Sequence, residues 1–247
     1  MNPLVKLGTF PVTDKIPLIL LPAFMSTYML WGPQIDDLAD IADITVVELM
    51  PYDSVARMAD AVLDRAPDRF ALAGHSLGAL AAFVILQRVP ERVTRLALVS
   101  ASARADTPER LATRKTQIEA VRVGGFNEVV DGFLKVLQSP DRPWSSDVLE
   151  AVRKMVHEAG QNCFFRQQEA MRNRCDSRQI LGSISCPTAV IHGRDDQSWS
   201  FDNGEELARL IPGARLEVIE NAGHFPTLSQ PVATTAALRA WLLNGRS

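Results

Sequence analysis

Short apolar runs alternate with amphipathic segments along most of the chain. Six of these runs have the length of buried strands, and they cover residues 17–21, 44–49, 69–73, 95–99, 188–192 and 215–219. Helical patterns follow three of them, at residues 55–66, 77–89 and 231–243. Strands that alternate with helices predict an α/β fold, in which a mostly parallel sheet carries helices on both faces.

The ends of these segments carry local signals. Ser54 suits the N-cap of the helix predicted at residues 55–66, and Pro90 ends the one at residues 77–89. Only 16 residues precede the first apolar run, so we expect one edge strand there, at residues 4–7.

The alternation stops between residues 104 and 179, where helical stretches follow one another without a strand signal. Breaks fall at Gly124-Gly125 and at residues 139–143. We therefore expect an all-helical insertion at 104–179 within a core formed by residues 1–103 and 180–247. Its ends emerge at the carboxyl edge of the sheet, which favours a cap over a site there. A rigid extra layer or a dimer contact is the alternative.

The most informative local sequence is Gly74-His75-Ser76-Leu77-Gly78, between an apolar run and a helical pattern. The two glycines indicate a turn too tight for side chains on either flank. Such a turn holds the serine hydroxyl clear of the sheet, at a helix N-terminus whose free N–H groups favour negative charge. The pattern predicts Ser76 as a nucleophile.

Two later apolar runs end at polar residues suited to acid–base chemistry. The run at residues 188–192 is followed by Asp195 and Asp196, and the run at residues 215–219 leads to a loop with His224. All three side chains then belong to the carboxyl edge of the sheet, where open α/β sheets build their sites. The local Gly-x-x-Asp pattern favours Asp196 as the partner of the histidine, with Asp195 bracing the turn.

The chain order Ser76, Asp196, His224 and the Gly-x-Ser-x-Gly turn resemble the α/β-hydrolase fold superfamily, in particular its serine esterases and lactonases with a helical cap. The resemblance covers residues 18–243. It implies a catalytic triad of these three residues and identifies the insertion as the cap.

The resemblance also implies an oxyanion hole made of two backbone N–H groups. Leu77, directly after the serine, supplies the first. The second belongs to the loop after the first strand, and we assign it to Phe24. Related hydrolases often begin this loop with His-Gly, whereas this chain has Pro22-Ala23, so the register of the second donor stays open by one residue.

The implied function is hydrolysis of a small carboxylic ester, lactone or thioester through an acyl-enzyme intermediate. Dehalogenases and epoxide hydrolases of this fold carry aspartate where this chain has Ser76, which argues against both. A carbon–carbon bond hydrolase and a menaquinone-pathway lyase remain alternatives, although such lyases usually carry arginine where Ala79 stands. A non-enzymatic receptor for a small molecule is a further alternative, since a triad does not by itself establish turnover.

Four residues are candidates for substrate contacts: Met25, Trp199, Arg166 and Gln168. Met25 and Trp199 follow the predicted motifs closely and indicate an apolar pocket. Arg166 and Gln168 belong to a cap helix that mixes apolar and polar groups, and Arg offers a fork of donors for a carboxylate or carbonyl. Solvation or pairing of the cap arginines with nearby acids is the alternative reading.

Composition limits the partners. The chain has 247 residues, 47% of them hydrophobic, and a net charge of −3, with no basic stripe for nucleic acid. No apolar run is long enough to span a membrane, and no signal peptide is visible. Three cysteines without C-x-x-C spacing indicate reduced thiols, so we expect a cytoplasmic protein. We expect no cofactor and no metal. The expected partner is a small acyl substrate. The oligomeric state cannot be derived from the sequence.

Overall fold

The computed structural model describes residues 15–244, and a six-stranded sheet forms its centre. The strands are β1 (Ile16–Leu21), β2 (Ala42–Val46), β3 (Phe70–His75), β4 (Val93–Val99), β5 (Thr188–Gly193) and β6 (Arg215–Ile219). All neighbouring strands run parallel, in the order β2-β1-β3-β4-β5-β6. The predicted α/β fold is confirmed, while the edge strand predicted at residues 4–7 lies outside the described residues.

The burial of each strand explains how closely its bounds were predicted from the sequence. Every residue of β3 and β5 is buried, as expected for central strands covered by helices on both faces. The edge strand β2 is shorter than predicted and ends at Val46. Val47 and Leu49 still bury their side chains in the core, but beyond the ladder. Apolar burial therefore continues past the end of the strand.

Ten helices complete the described part of the chain. They are α1 (Gly32–Leu38), α2 (Val55–Leu63), α3 (Leu77–Arg88), α4 (Pro108–Arg122), α5 (Phe126–Leu137), α6 (Ser146–Arg172), α7 (Arg178–Leu181), α8 (Phe201–Leu210), α9 (Pro226–Ser229) and α10 (Pro231–Leu243). Around the sheet, α2 packs against α3 and α1 packs against α10, which gives the two helical layers. Ser54 caps α2 as predicted, because its Oγ accepts the Arg57 N–H at 3.3 Å.

The four helices α4–α7 lie between β4 and β5, in the segment where the sequence predicts only helices. The long helix α6 is interrupted at Gly160, whose φ of 71° and ψ of 176° are not helical. A positive φ of this kind is inexpensive only for glycine. The break redirects the second half of α6, which carries the residues nearest to the site. This break was not predicted from the sequence.

Within residues 15–244, no helix combines the length and the apolar character needed to cross a bilayer.

Candidate active site

Ser76 lies in the turn between β3 and α3. Its φ of 51° and ψ of −104° are unfavourable for a residue with a side chain, at a cost of about 1–3 kcal/mol. The flanking glycines permit this turn. A Cβ at Gly74 would come within 2.7 Å of the Ala79 nitrogen, and one at Gly78 within 2.5 Å of the Leu21 carbonyl oxygen. The helix thus begins directly against β1 and β3, with Ser76 at its first turn.

The turn after β5 and the loop after β6 meet in backbone contact. A Cβ at Gly193 would overlap the carbonyl oxygens of Ala222 and Gly223, so only glycine allows this approach. The Asp195 N–H donates to the Ala222 carbonyl at 2.9 Å and joins the two segments. These contacts bring the acidic turn beside the loop that carries His224.

Asp196 and His224 form a buried pair. The Nδ1 atom of His224 lies 2.7 Å from Oδ2 of Asp196. The other carboxylate oxygen accepts the backbone N–H groups of Ser198 at 2.8 Å and Trp199 at 3.0 Å. With both oxygens occupied, the carboxylate is fixed in orientation, and it fixes the imidazole in turn.

The electrostatic surroundings keep Asp196 ionised. Burial on its own raises the pKa of this carboxyl, but His224, His192 and the Trp199 N–H outweigh burial and hold the pKa below its usual value. His192 contributes from a distance of 3.5 Å. An ionised Asp196 accepts a hydrogen bond from Nδ1–H of His224, which leaves Nε2 free to accept a proton.

His75 and His192 support the site from behind. The Nε2 atom of His75 lies 2.8 Å from the carbonyl oxygen of His224, and the ring of His75 packs between Trp31 and Phe225. Burial, with the adjacent His224, lowers the pKa of His75 to about 3, and burial also lowers the pKa of His192. Both rings are neutral at pH 7 and act as hydrogen-bonding packing groups.

Asp195 points away from the histidine. Its Oδ2 accepts the hydroxyl of Ser139 at 2.8 Å, in the segment between α5 and α6. The end of α5 holds the loop of His224, because the His224 N–H donates to the Leu137 carbonyl at 2.8 Å. Of the two neighbouring aspartates, Asp196 is therefore the one beside His224.

Ser76 and His224 face a common cavity of about 350 Å³. Helices α4, α5 and α6 of the insertion all contribute lining residues. The lining residues include Ala23, Phe24, Ser76, Arg110, Thr113, Arg114, Gln117, Phe133, Gln168, Met171, Trp199, His224 and Phe225. Among the described residues, the Ser76 hydroxyl has no hydrogen-bond partner, His224 included, and Ser76 lines the cavity.

Two backbone N–H groups near Ser76 are candidates for holding an oxyanion. Within residues 15–244, neither the Phe24 nor the Leu77 N–H has an acceptor. The next donor along the loop, the Met25 N–H, is occupied by Oε1 of Gln167 at 2.7 Å. The occupied Met25 N–H disfavours a shift of the second donor from Phe24 to Met25 and leaves the Phe24 N–H available.

The four predicted substrate contacts are distributed unevenly. Trp199 and Gln168 line the cavity, and Met25 lines a smaller adjoining space of about 20 Å³ beside Phe24. Arg166 does not line it; its Nε donates instead to the Met50 carbonyl at 3.0 Å. This corrects the expectation for Arg166. Residues two apart on a helix point roughly 200° from one another, so Arg166 and Gln168 lie on nearly opposite sides of α6.

Helix α4 also contributes to the cavity, which was not predicted from the sequence. Arg110, Arg114 and Gln117 of this helix line the cavity, although none was among the candidate residues. Their i, i+4, i+7 spacing places them on one helical face and was the available signal. Among the described residues, no group of three or more His, Cys, Asp or Glu side chains is arranged to hold a metal ion.

Comparison with known proteins agrees with this fold. Residues 29–238 match the Alpha/beta hydrolase family. A pimeloyl-(acyl-carrier protein) methyl ester esterase of Chromobacterium violaceum is 33% identical over 180 residues, or 69% of this chain and 70% of that protein. A protein of the same name from Neisseria meningitidis is 28% identical and covers 92% of this chain and 87% of its own.

Among solved structures, a thermophilic esterase from Thermogutta terrifontis superposes with a TM-score of 0.82 at 28% identity. The match covers 92% of this chain and 89% of that one. A hydrolase from Pseudomonas aeruginosa gives a TM-score of 0.81 at 26% identity, over 94% of this chain and 91% of its own. The match to the family extends over most of the chain, and the chain belongs to the alpha/beta hydrolase family.

Proposed function

We propose that this protein is a serine hydrolase of small carboxylic esters, with Ser76 as nucleophile, His224 as base and Asp196 as the acid that orients the histidine. The observation that carries the proposal is the buried contact of 2.7 Å between His224 and Asp196, with His224 and Ser76 facing one cavity. The contact supports the assignment of base and orienting acid, and the shared cavity supports Ser76 as the nucleophile that His224 activates when a substrate is bound.

The reaction follows from these positions. Ser76 Oγ attacks the ester carbonyl carbon while its proton passes to Nε2 of His224, and the carbonyl oxygen becomes an oxyanion. The N–H groups of Phe24 and Leu77 donate to that oxyanion, an effect worth roughly 3–4 kcal/mol for each donor in comparable sites. As the tetrahedral intermediate collapses, the C–O bond to the alcohol breaks, and His224 returns the proton to the departing oxygen.

Deacylation repeats the sequence with water. His224 takes a proton from the water as its oxygen attacks the acyl carbon, and the proton then passes to Ser76 Oγ as the acyl–enzyme bond breaks. The products are the alcohol and the carboxylic acid. Asp196 stays ionised throughout and stabilises the transient imidazolium.

Two considerations favour an ester as substrate. The curated relatives are named as methyl ester esterases, and the Thermogutta terrifontis structure is described as an esterase. The cavity of about 350 Å³ also lies near the lower end of the usual range for small-molecule sites. Lactones and thioesters present the same acyl carbon and belong to the proposal.

The proposal includes a cap at residues 104–179. Its helices α4, α5 and α6 provide a large part of the cavity lining, so they exclude water and shape the space around the acyl group.

The first test is labelling by a fluorophosphonate together with turnover of short-chain nitrophenyl esters. We expect one covalent adduct by intact mass and steady turnover for the wild-type protein. Ser76→Ala abolishes both, because the attacking oxygen is removed. Ser183→Ala is the matched control, since Ser183 is exposed and its hydroxyl bonds only to the Ile180 carbonyl at 2.7 Å; it retains both.

Folded wild-type protein that takes up no adduct and hydrolyses no ester contradicts the proposal. An adduct with a single slow turnover identifies an activated serine in a receptor-like protein, and it contradicts the assignment as an ester hydrolase. Circular dichroism of each variant establishes that the fold is retained.

A further inference from the structure

A group of charged side chains lies on the α4 side of the cavity. It consists of Arg110 and Arg114 on α4, Arg174 after α6 and Asp106 before α4. Asp106 is buried, as is Arg174. Three guanidinium groups therefore surround a single carboxylate, which leaves an excess of positive charge next to the cavity.

Asp106 is already engaged on both sides. Its Oδ2 lies 2.6 Å from Nε of Arg114, and its Oδ1 lies 2.8 Å from Arg174. Arg114 also donates to Oε1 of Gln168 at 2.9 Å. Arg114 and Arg174 thus have their counter-ion within the protein, whereas Arg110 forms no salt bridge with Asp106.

Arg110 differs from Arg114 and Arg174 in its contacts. Its guanidinium carbon lies 3.9 Å from the ring centroid of Trp199, and its Nη2 donates to the Ser198 carbonyl at 2.6 Å. Within residues 15–244, no carboxylate forms a salt bridge with it, and Arg110 lines the cavity that contains Ser76. Burial lowers the pKa of Arg110 and Arg114 acts in the same direction, although the charges of Asp106 and Asp196 partly offset this. A half-buried, stacked arginine without a counter-ion is a ready receptor for an anion.

No acidic side chain among the described lining residues competes with a ligand for Arg110. The lining residues of the cavity, all of them within the described part of the chain, include two arginines and no aspartate or glutamate. The stacked ring of Trp199 fixes the plane of the Arg110 guanidinium, so the fork is oriented before a ligand arrives. Such a fork matches the planar geometry of a carboxylate.

We propose that Arg110 binds a free carboxylate of the substrate, so that the preferred substrates are esters with a second, ionised carboxyl group on the acyl or the alcohol part. The inference rests on the proposed ester hydrolysis and adds the chemical class of the substrate. Arg114, held by Asp106 and Gln168, reinforces the positive potential on the same side of the cavity.

The test compares matched pairs of esters that differ in one charge. For the acyl part, the monomethyl ester of adipic acid is paired with methyl 5-carbamoylpentanoate, in which an amide replaces the acid. For the alcohol part, 4-carboxyphenyl acetate is paired with 4-carbamoylphenyl acetate. We expect wild-type kcat/KM to be at least about tenfold higher for the acid in one of the pairs, as for a charge-assisted hydrogen bond in a partly buried site.

Arg110→Gln reduces that ratio to about one, and Arg110→Lys gives an intermediate ratio because it keeps the charge but loses the fork. Arg122→Gln is the matched control: it removes the same charge from the exposed end of α4, where Arg122 pairs with Glu119 at 2.7 Å. This control leaves the ratio at its wild-type value.

A second measurement reads the carboxylate site without turnover. Calorimetry compares adipate with adipamide on Ser76→Ala protein, and we expect the dianion alone to bind, with affinity lost in the Ser76→Ala/Arg110→Gln double variant. Ester turnover without preference for the acid in either pair overturns the carboxylate site and leaves ester hydrolysis intact. If the wild-type protein hydrolyses no ester while the Ser76→Ala protein binds adipate through Arg110, the proposed ester hydrolysis is overturned and the carboxylate site stands.

Discussion

At the scale of single residues, the reactivity of the site depends on how the oxygens of Asp196 are used. One oxygen faces His224 at 2.7 Å, and the other accepts the N–H groups of Ser198 and Trp199. Leaving a buried carboxylate without partners costs several kcal/mol, so these contacts, together with the nearby His192, help to keep Asp196 charged. The charge selects the His224 tautomer with a proton on Nδ1, and the proposed mechanism needs this tautomer because it leaves Nε2 free to take the Ser76 proton.

Asp196→Asn tests this dependence on the tautomer. The amide keeps the shape of the carboxylate, but its NH₂ group donates to Nδ1 and moves the imidazole proton to Nε2. We expect kcat for a nitrophenyl ester to fall by about 10³–10⁴-fold, with a much smaller change in KM. Steady-state kinetics at about pH 7.5 measure it.

The neighbouring carboxylate provides the control. Asp195→Asn removes the same charge one residue away, where the side chain accepts only the Ser139 hydroxyl at 2.8 Å. We expect kcat within about threefold of wild type. A large loss in Asp195→Asn with little loss in Asp196→Asn would reverse the assignment of the acid.

At the scale of elements, α6 is tied to the loop after β1 by one buried hydrogen bond. Gln167 is fully buried, and its Oε1 accepts the Met25 N–H at 2.7 Å. Met25 has a φ of 54°, which is unfavourable for a residue with a side chain by about 1–2 kcal/mol. The bond therefore helps to hold a strained backbone beside Phe24, the residue whose N–H we assign to the oxyanion hole.

Gln167→Met tests whether this bond positions the oxyanion donor. Methionine has a similar volume but no acceptor for the Met25 N–H, so the loop relaxes and the Phe24 N–H is less well directed. We expect kcat to fall by about tenfold or more with a small change in KM, because the lost interaction acts mainly in the transition state.

The control for this element is Gln161→Met, on the exposed face of the same helix. It leaves kcat and KM near their wild-type values. If Gln167→Met raises KM at constant kcat, the residue shapes the binding cavity and does not position the oxyanion donor.

At the scale of the whole molecule, the core was predictable and the interior of the insertion was not. The strands followed from apolar runs and the turn at Ser76 from its two glycines, because both are recorded within a few consecutive residues. The side of a cap helix that faces the cavity depends on how that helix docks, and Gly160 redirects the second half of α6. Arg166 was therefore assigned to the cavity and Arg110 was overlooked. The roles of the site residues themselves remain predictions.

The buried histidines link global stability to pH. Burial, with the adjacent His224, lowers the pKa of His75 from 6.5 to about 3, and His192 shifts in the same direction. Above pH 6.5 the ring of His75 is neutral in both folded and unfolded chains, so it adds no pH dependence there. As the pH falls below 6.5, the unfolded chain binds a proton that the folded protein excludes until about pH 3, and the free energy of unfolding decreases.

We therefore expect urea denaturation to show stability falling between about pH 6 and about pH 4.5, with His75 contributing roughly 1.4 kcal/mol per pH unit. His75→Gln removes this contribution to the slope, since an amide can still donate to the His224 carbonyl without titrating. His157→Gln, at an exposed position of α6, keeps the wild-type slope.

The slope is the informative quantity, because His75→Gln also changes packing against Trp31 and Phe225 and so shifts stability at every pH. A slope that His75→Gln leaves unchanged would mean that His75 takes up its proton in the folded protein as readily as in the unfolded chain, and the neutral ring behind His224 would have to be abandoned.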